Sequence, residues 1–219
     1  MRDYVGGKGW KQEKFDHILE TGFKLFAENG IGAVTMTNVS KAAKVGDVTL
    51  YRYFTTKTDL VVAIATRKWK EFIEWHNGLL TLEETAKLTG AEYLKFFIDS
   101  FLELYRNHKY ILSFNYEFNA FVRGEQWTDE QKQPYLQMVG ALSEQFHELY
   151  ERGKTDGTLN TDISEQTMFS STFHIMLAAV TRYAVGLAVV NESDPESELV
   201  MLGNMLMSQF TEKKKEKNE

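Results

Sequence analysis

The sequence predicts an all-α protein of about nine helices. Only two prolines, Pro134 and Pro195, interrupt the 219 residues, and long stretches contain neither proline nor glycine. Because those two residues disrupt helix interiors, their scarcity favours helices. The alternation of apolar and polar residues that marks a half-buried strand is absent. A hydrophobic content of 43% suffices for a full core, in one large helical unit or in a small domain with a larger one.

Composition narrows the class of protein further. The chain has no cysteine, which excludes disulfides and thiolate chemistry. No apolar run reaches the roughly 18 residues that a membrane span needs. The first ten residues, MRDYVGGKGW, lack the apolar core of a secretory signal. We therefore predict a globular, cytoplasmic protein.

The net charge of −6 is divided unevenly along the chain. Residues 1–70 hold 12 Lys and Arg against 7 Asp and Glu, whereas the remaining residues hold 13 against 24. A basic N-terminal segment can neutralise DNA phosphates while an acidic remainder stays away from the duplex. The acidic total is therefore no argument against nucleic-acid binding, although such an asymmetry also arises by chance in helical proteins.

Apolar residues recur at helical spacing from about residue 11 to residue 28. Phe15, Ile18 and Phe26 belong to this stripe, and Gly30 supplies a left-handed stop. Few side chains in this segment suit base reading, so we predict a supporting helix that packs behind the two that follow.

Two short helices joined by a tight turn are predicted within residues 35–57. Thr35 offers a side-chain oxygen that caps the first helix, and Leu50 and Phe54, four residues apart, face inward from the second. The side chains left on the outer face of the second helix are those of Val48, Thr49, Tyr51, Arg52 and Tyr53. A solvated surface helix seldom carries this combination, whereas a helix that enters the DNA major groove does.

Residues 45–60, V-G-D-V-T-L-Y-R-Y-F-x-x-K-x-D-L, resemble the DNA-binding motif of the tetracycline-repressor (TetR) family of bacterial transcription regulators. Upstream, Ile18-Leu19, Leu25-Phe26, Gly30 and Thr35-Met36 fall where that family places its first helix, its turn and the start of its second helix. The resemblance covers about residues 15–60, and its strength lies in the ordered combination of T-M-x-x-V, T-L-Y-x-Y-F and K-x-D-L.

Two positions depart from the family pattern. The family usually has Gly where Lys44 stands and a Ser or Thr cap where Gly46 stands. We therefore expect Lys44 to adopt a left-handed conformation, at a cost of about 1 kcal/mol, and we expect the turn to form nevertheless.

The resemblance implies a domain organisation. It predicts a three-helix helix-turn-helix DNA-binding domain at residues 11–56, with the motif itself at about 35–54. A connecting helix at 57–77, supported by its own apolar stripe, carries motion to a C-terminal ligand-binding and dimerisation domain at 78–213. Residues 78–90 read as a loop or half-turn within that domain.

The resemblance and the helical spacing together assign the DNA contacts. Base edges are assigned to Thr37, Asp47, Val48, Thr49 and Tyr51. Phosphates are assigned to Thr35, Arg52, Tyr53 and Lys57. Arg52 equally suits a guanine, since its guanidinium can bind O6 and N7.

A concentration of aromatic residues predicts the effector site. Residues 90–127 hold 11 aromatic side chains, roughly double what the average of 13% would place there. Rigid rings that cannot all interlock leave space for an apolar or aromatic small molecule, and the resemblance implies an effector site in this region. The predicted ligand-binding residues are Phe97, Phe101, Tyr105, Phe114, Phe118, Met138 and Phe173. Plain core packing is the alternative for each of them.

The last two predicted helices, at about 164–190 and 194–212, carry sustained apolar stripes that suit a dimer surface. The residues assigned to dimerisation are Phe169, Met176, Val180, Ala184, Leu187, Leu199, Leu202 and Leu206. A two-fold dimer doubles the contacts on a palindromic operator. The alternative is that both stripes face their own core.

Motifs of catalysis and of metal or cofactor binding are missing. The five histidines are scattered without ligand spacing, and no phosphate-binding loop or nucleophile elbow occurs. The sequence therefore predicts no metal, no cofactor and no enzyme, but a ligand-responsive DNA-binding regulator, most often a repressor in this family. The rivals are an activator of the same fold, a ligand-binding protein with a vestigial helix-turn-helix, and an enzyme that uses the aromatic pocket.

Overall fold

The computed structural model describes residues 8–124, 127–187 and 194–211, which form ten helices. The helices are α1 Lys8–Asn29, α2 Met36–Ala42, α3 Asp47–Tyr53, α4 Lys57–Asn77, α5 Leu82–Lys87, α6 Gly90–Asn107, α7 Lys109–Gly124, α8 Asp129–Asp156, α9 Glu165–Ala184 and α10 Pro195–Phe210. The all-α class is therefore confirmed, and His108 separates α6 from α7.

The tenth helix, α5, lies where the sequence was expected to form a loop or half-turn. The Thr81 hydroxyl accepts a hydrogen bond from the Glu84 N–H, and the Glu84 carboxylate accepts one from the Thr81 N–H. This capping box satisfies two of the backbone donors that a helix start leaves unpaired. Six residues therefore suffice for a helix here, and the loop prediction for this stretch is wrong.

The chain divides into two compact units. The first contains the described residues up to Glu71 together with Ser113–Met138, and the second contains Phe72–Leu112 together with the described residues from 139 onward. Helices α4, α7 and α8 each contribute residues to both units. These units are defined by packing alone, so the predicted functional domain boundaries after residues 56 and 77 stay predictions. The predicted end of the last domain, at residue 213, lies outside the described residues.

The core of the first unit is built from α1, the helix-turn-helix, the first part of α4 and a segment of α7. Its fully buried large side chains include Phe26, Leu50, Leu60 and Phe114. Ion pairs add to this packing at its edge, where Arg67 of α4 binds Asp16 of α1. The hydrogen bond from Arg67 lowers the pKa of the Asp16 carboxyl, so this pair is present at neutral pH.

In the second unit, α6 packs against α9 and α10. The same helix meets α8 at a glycine pair, since a Cβ on Gly90 would lie 2.1 Å from the Gly153 Cα. The turn after α8 caps α6, because the Asp156 carboxylate accepts a hydrogen bond from the Gly90 N–H at 2.8 Å. Asp156 therefore has a structural role in a segment that superficially resembles a calcium loop.

No helix in the described parts of the chain combines the length and the apolarity that a membrane crossing demands.

Candidate nucleic-acid interface

The turn between α2 and α3 has the geometry that its sequence predicts. Lys44 has a φ of 52°, so the expected left-handed conformation is confirmed. The Val45 N–H donates to the Ser40 carbonyl at 3.0 Å and closes the turn. Gly46 begins α3 without a side-chain cap. The turn thus forms although both family-typical residues are replaced.

A side-chain contact locks α2 to α3. The Ser40 hydroxyl, which is buried, donates to the Asp47 carboxylate in the first turn of α3. A carboxylate at this end of a helix also suits the positive end of the helix dipole. The structure therefore gives Asp47, which was assigned to base edges, an internal role that fixes the angle between the two helices.

The outer face of α3 is presented to solvent. Val48 is 86% exposed and Tyr51 is 49% exposed, whereas Leu50 on the opposite face is fully buried. Arg52 is exposed, and its guanidinium lies 5.8 Å from the centre of the Tyr53 ring. The buried face holds α3 in place and leaves apolar and hydrogen-bonding side chains available to base edges.

Tyr53 is less available than the sequence suggests. Its ring lies 5.8 Å from that of Phe15 in α1, and its hydroxyl donates to the Lys11 carbonyl at 3.3 Å. Tyr53 thus ties the end of α3 to α1, and a phosphate contact would require its hydroxyl to exchange partners.

The other residues assigned to DNA lie at helix starts. The Thr35 hydroxyl caps α2, accepting from the Asn38 N–H at 3.1 Å and donating to the Asn38 side chain at 2.7 Å. Thr37 follows in the first turn and is half-buried. Lys57 begins α4, where its ammonium lies 5.7 Å from the centre of the Phe121 ring.

The residues assigned to the effector site fall into different units. Phe114 and Phe118 belong to the first unit and are almost fully buried. The Phe114 ring lies 5.6 Å from Phe23 of α1, and the Phe118 ring lies 5.1 Å from Tyr135. Met138 is the last residue of the same unit. For Phe114 and Phe118 the packing alternative is therefore supported, because their rings fill the core that also holds α1.

The other assigned rings form a cluster in the second unit. Phe97 packs edge-to-face against Phe101 at 5.8 Å and Phe146 at 5.3 Å. Phe173 lies 5.9 Å from Phe101 and from Phe169. Tyr105 stands apart from this cluster, with its ring 6.4 Å from that of Tyr183. Edge-to-face pairs are a favoured packing geometry, so core packing stays open as the alternative for these rings.

A second group of rings, which the sequence analysis did not identify, surrounds His76. This histidine is 6% exposed, and its ring centre lies 4.0 Å from that of Phe96. In the same cluster, the ring centres of Trp75 and His108 lie 4.7 Å apart. Burial lowers the pKa of His76 to about 4, although Glu103 and Asp99 oppose that shift. The helical spacing of Phe72 and His76 was the available signal for this cluster.

The buried His76 predicts a pH-dependent stability. Between pH 6.5 and about 4 the unfolded chain binds a proton that folded His76 does not. The free energy of unfolding therefore falls as the pH falls through this window, by up to about 3 kcal/mol. Urea denaturation at pH 7 and pH 4.5 measures the effect, and His76→Gln is expected to show a shallower dependence than the wild type.

His147→Gln is the control for the His76 measurement. Its hydrogen bond with Glu165 raises the pKa of His147, so the stability it contributes is lost as the pH rises. Removing this ring should leave the dependence below pH 6.5 unchanged, because His147 is protonated there in both the folded and the unfolded chain. A His76→Gln protein with the wild-type dependence would contradict the assignment.

Several residues assigned to dimerisation are buried within the second unit. Met176, Val180 and Leu199 are fully buried and Leu206 is 7% exposed. Phe169, Ala184 and Leu202 are half-buried, and Leu187 is 44% exposed. The alternative that the stripes face their own core is therefore supported for the buried four, because these side chains pack inside their own unit. The exposed apolar residues of the same helices are Ile175, Val200, Met201 and Met205.

One group of side chains in the described residues has the spacing of a metal site. The ligand atoms of His147, Glu151 and Glu165 lie within 4.8 Å of one another. Ion pairs already occupy them, since His147 binds Glu165 at 2.9 Å and Lys154 binds Glu151 at 2.9 Å. We assign this group to surface ion pairing.

Part of the first unit matches a known protein family. Residues 18–64 match the model for bacterial regulatory proteins of the tetR family. The chain is 31% identical over 77 residues to the fatty acid metabolism regulator protein of Bacillus subtilis, covering 35% of this chain and 40% of that protein. It is 35% identical over 79 residues to the HTH-type transcriptional regulator AcrR of Shigella flexneri, covering 36% and 34%. The chain thus matches well under two thirds of the length of these relatives.

The fold is similar over a larger part of the chain. The crystal structure of the transcriptional regulator FadR from Bacillus subtilis in complex with stearoyl-CoA has a TM-score of 0.70 at 19% identity. The match covers 89% of this chain and 98% of that one. At this identity the similarity establishes the fold alone.

The exposed α3, held by a locked turn on a buried helical core, defines the chain as a helix-turn-helix protein. Within that class, residues 18–64 match the tetR family of bacterial regulatory proteins, and the fold is similar to that of a FadR regulator. The resemblance of residues 15–60 is thereby confirmed.

Proposed function

We propose that the chain is a homodimeric transcription regulator, most often a repressor in its family, that leaves a palindromic operator when it binds a small molecule. The exposed face of α3 carries this proposal. Val48 and Tyr51 project from a helix whose opposite face is anchored by Leu50, as a base-reading helix requires. The two curated relatives are named as regulators, which supports regulation over the rival enzyme.

The proposed DNA contacts divide into base edges and phosphates. Base edges are read by Val48, Thr49 and Tyr51, with Thr37 beside them at the start of α2. Phosphates are held by Thr35, Arg52, Tyr53 and Lys57. Asp47 serves the recognition helix indirectly, because its carboxylate is bound to Ser40.

Selection of bound duplexes from a randomised DNA pool tests the proposal. We expect an enriched palindrome whose half-sites are about 34–36 Å apart, one helical turn, or a multiple of that distance. A ligand-binding protein with a vestigial helix-turn-helix would enrich no sequence. That rival draws its support from Lys44 and Gly46, the two departures from the family pattern.

The solvent face of α9 and α10 is the proposed dimer surface. Ile175 of α9 is 42% exposed, and Met201 and Met205 of α10 are 55% and 60% exposed. Val200 of α10 is 37% exposed. Exposed apolar side chains of this size on helices that pack against each other suit a second copy of the chain, which would bury them by two-fold symmetry.

We expect the double variant Met201→Glu and Met205→Glu to be monomeric, because two added carboxylates would face their symmetry mates across an apolar surface. Sedimentation equilibrium at micromolar concentration measures the change. Leu82→Glu is the matched control, since Leu82 is 92% exposed on α5 of the same unit. A double variant that sediments as the wild type does would refute this surface.

The effector is proposed to be a small apolar or aromatic molecule. Support comes from the rings of the second unit, around Phe97 and around His76. The related fold of FadR from Bacillus subtilis holds stearoyl-CoA, so a series of acyl-CoA esters and an aromatic series are suitable first probes. Thermal shift identifies binders, and release of the selected duplex on their addition supports the repressor mechanism. Binders that tighten the DNA complex would favour an activator.

A further inference from the structure

A carboxylate of α7 binds the turn that precedes the helix-turn-helix. The Glu117 carboxylate accepts a hydrogen bond from the Ile31 N–H at 3.2 Å, across 86 residues of sequence. It also lies against Gly30, where an added Cβ would stand 2.9 Å from the same oxygen. Gly30 has a φ of 80°, a conformation that glycine adopts without strain. The backbone of this turn is therefore shaped to receive the Glu117 side chain.

An amide of α8 binds the segment that follows the helix-turn-helix. The Gln131 amide nitrogen donates to the Asp59 carboxylate at 2.7 Å and to the Thr56 hydroxyl at 3.4 Å. The amide oxygen of Gln131 accepts from the Thr128 N–H at 3.1 Å, so both ends of the side chain are held.

Asp59 is itself part of the start of α4. Its second oxygen accepts from the Thr56 N–H at 2.8 Å. Burial alone would raise the pKa of Asp59, but hydrogen bonds from Gln131 and Thr56 outweigh it and lower the pKa. The Gln131 amide therefore binds an ionised carboxylate at neutral pH, which makes the hydrogen bond a strong one.

The two contacts bracket the DNA-reading helices. Ile31 lies five residues before α2 begins, and Thr56 lies three residues after α3 ends. Between the two anchors stand only α2, α3 and their turn. Helices α7 and α8, which supply the anchors, each continue beyond the first unit into the second.

We propose that Glu117 and Gln131 are positioning residues that hold the helix-turn-helix at both ends in a fixed orientation on α7 and α8. Neither residue lies on the outer face of α3, so their effect on DNA is indirect. The inference rests on the proposed function, because the orientation of the helix-turn-helix matters most when both copies in a dimer must bind one duplex together. A helix-turn-helix that is held less firmly would still read a half-site, but the dimer would lose part of the affinity gained from simultaneous binding.

Affinity for two duplexes tests the inference. One duplex carries the selected palindrome, and the other carries one half-site with the second scrambled. We expect Glu117→Ala and Gln131→Ala each to weaken binding of the palindrome about 10-fold, as loss of a hydrogen bond to a charged group predicts. Binding of the single half-site should change less than about 2-fold. Glu117→Gln keeps an acceptor and should restore most of the palindrome affinity.

Asn119→Ala in α7 and Gln133→Ala in α8 are the matched controls, since both residues are exposed. They should bind both duplexes as the wild type does. Equal losses on the two duplexes would show that Glu117 only supports the folding of the reading helices, and would overturn the inference. Unchanged binding of the palindrome would also overturn it. A wild type that binds the two duplexes equally would instead overturn the dimeric operator on which the inference rests.

Discussion

Gly90→Ala is expected to lower the free energy of unfolding by about 3 kcal/mol or more, the upper range for overpacked sites. The added methyl carbon would lie 2.1 Å from the Gly153 Cα and 2.3 Å from the Gly153 nitrogen. Both obstacles are backbone atoms, so no change of rotamer relieves the overlap. Relief requires α6 and α8 to separate, which disturbs the capping of Gly90 by Asp156. Urea denaturation followed by circular dichroism measures the loss.

Gly140→Ala is the matched control for that substitution. Gly140 lies in α8, is exposed, and has no atom within 4 Å of an added Cβ. Alanine there should raise stability by roughly 0.5–1 kcal/mol, because glycine in a helix interior costs more backbone entropy. A Gly90→Ala protein as stable as the wild type would show that the helices approach less closely than described.

Tyr51→Ala is expected to relax the sequence preference of the protein. The side chain is 49% exposed, whereas the neighbouring Leu50 is fully buried, so removal of the Tyr51 ring should leave the fold unchanged. Loss of a base contact costs about 1–3 kcal/mol of discrimination at one position of the site. Competition between the selected palindrome and single-base variants measures this change. A uniform loss across all duplexes would argue against base reading by Tyr51.

Lys57→Ala is the contrasting variant, since its ammonium is assigned to a phosphate. It should weaken binding to every sequence alike and reduce the slope of log affinity against log salt by roughly 0.9. Titrations at several salt concentrations distinguish the two variants. An altered base preference with an unchanged slope would refute the phosphate assignment.

The helix-turn-helix was predictable from sequence because its signals are local. The Thr35 cap and the four-residue spacing of Leu50 and Phe54 depend on neighbours a few residues away, and the left-handed Lys44 followed from the resemblance to the family. The contact between Ser40 and Asp47 was missed although it spans only seven residues. A serine on a helix face carries no signal of its partner.

The body of the protein was less predictable because an apolar stripe does not specify its partner. Met176 and Val180 have the spacing of a dimer surface and of a core alike, and only the packing of α9 on α6 decides between them. The same ambiguity affects Phe114 and Phe118, whose neighbours Phe23 and Tyr135 are distant from them in sequence. The capping box of α5 was readable from Thr81 and Glu84 but was overlooked in a polar stretch.

The contact between Gly90 and Gly153 has a mechanical consequence. Gly90 is the first residue of α6, so the contact lies at the N-terminal end of that helix. An added Cβ would overlap the backbone of Gly153, so the two main chains can approach this closely only because neither residue carries a side chain. The contact therefore fixes where α6 begins, and we expect any displacement of α6 to turn the helix about this end.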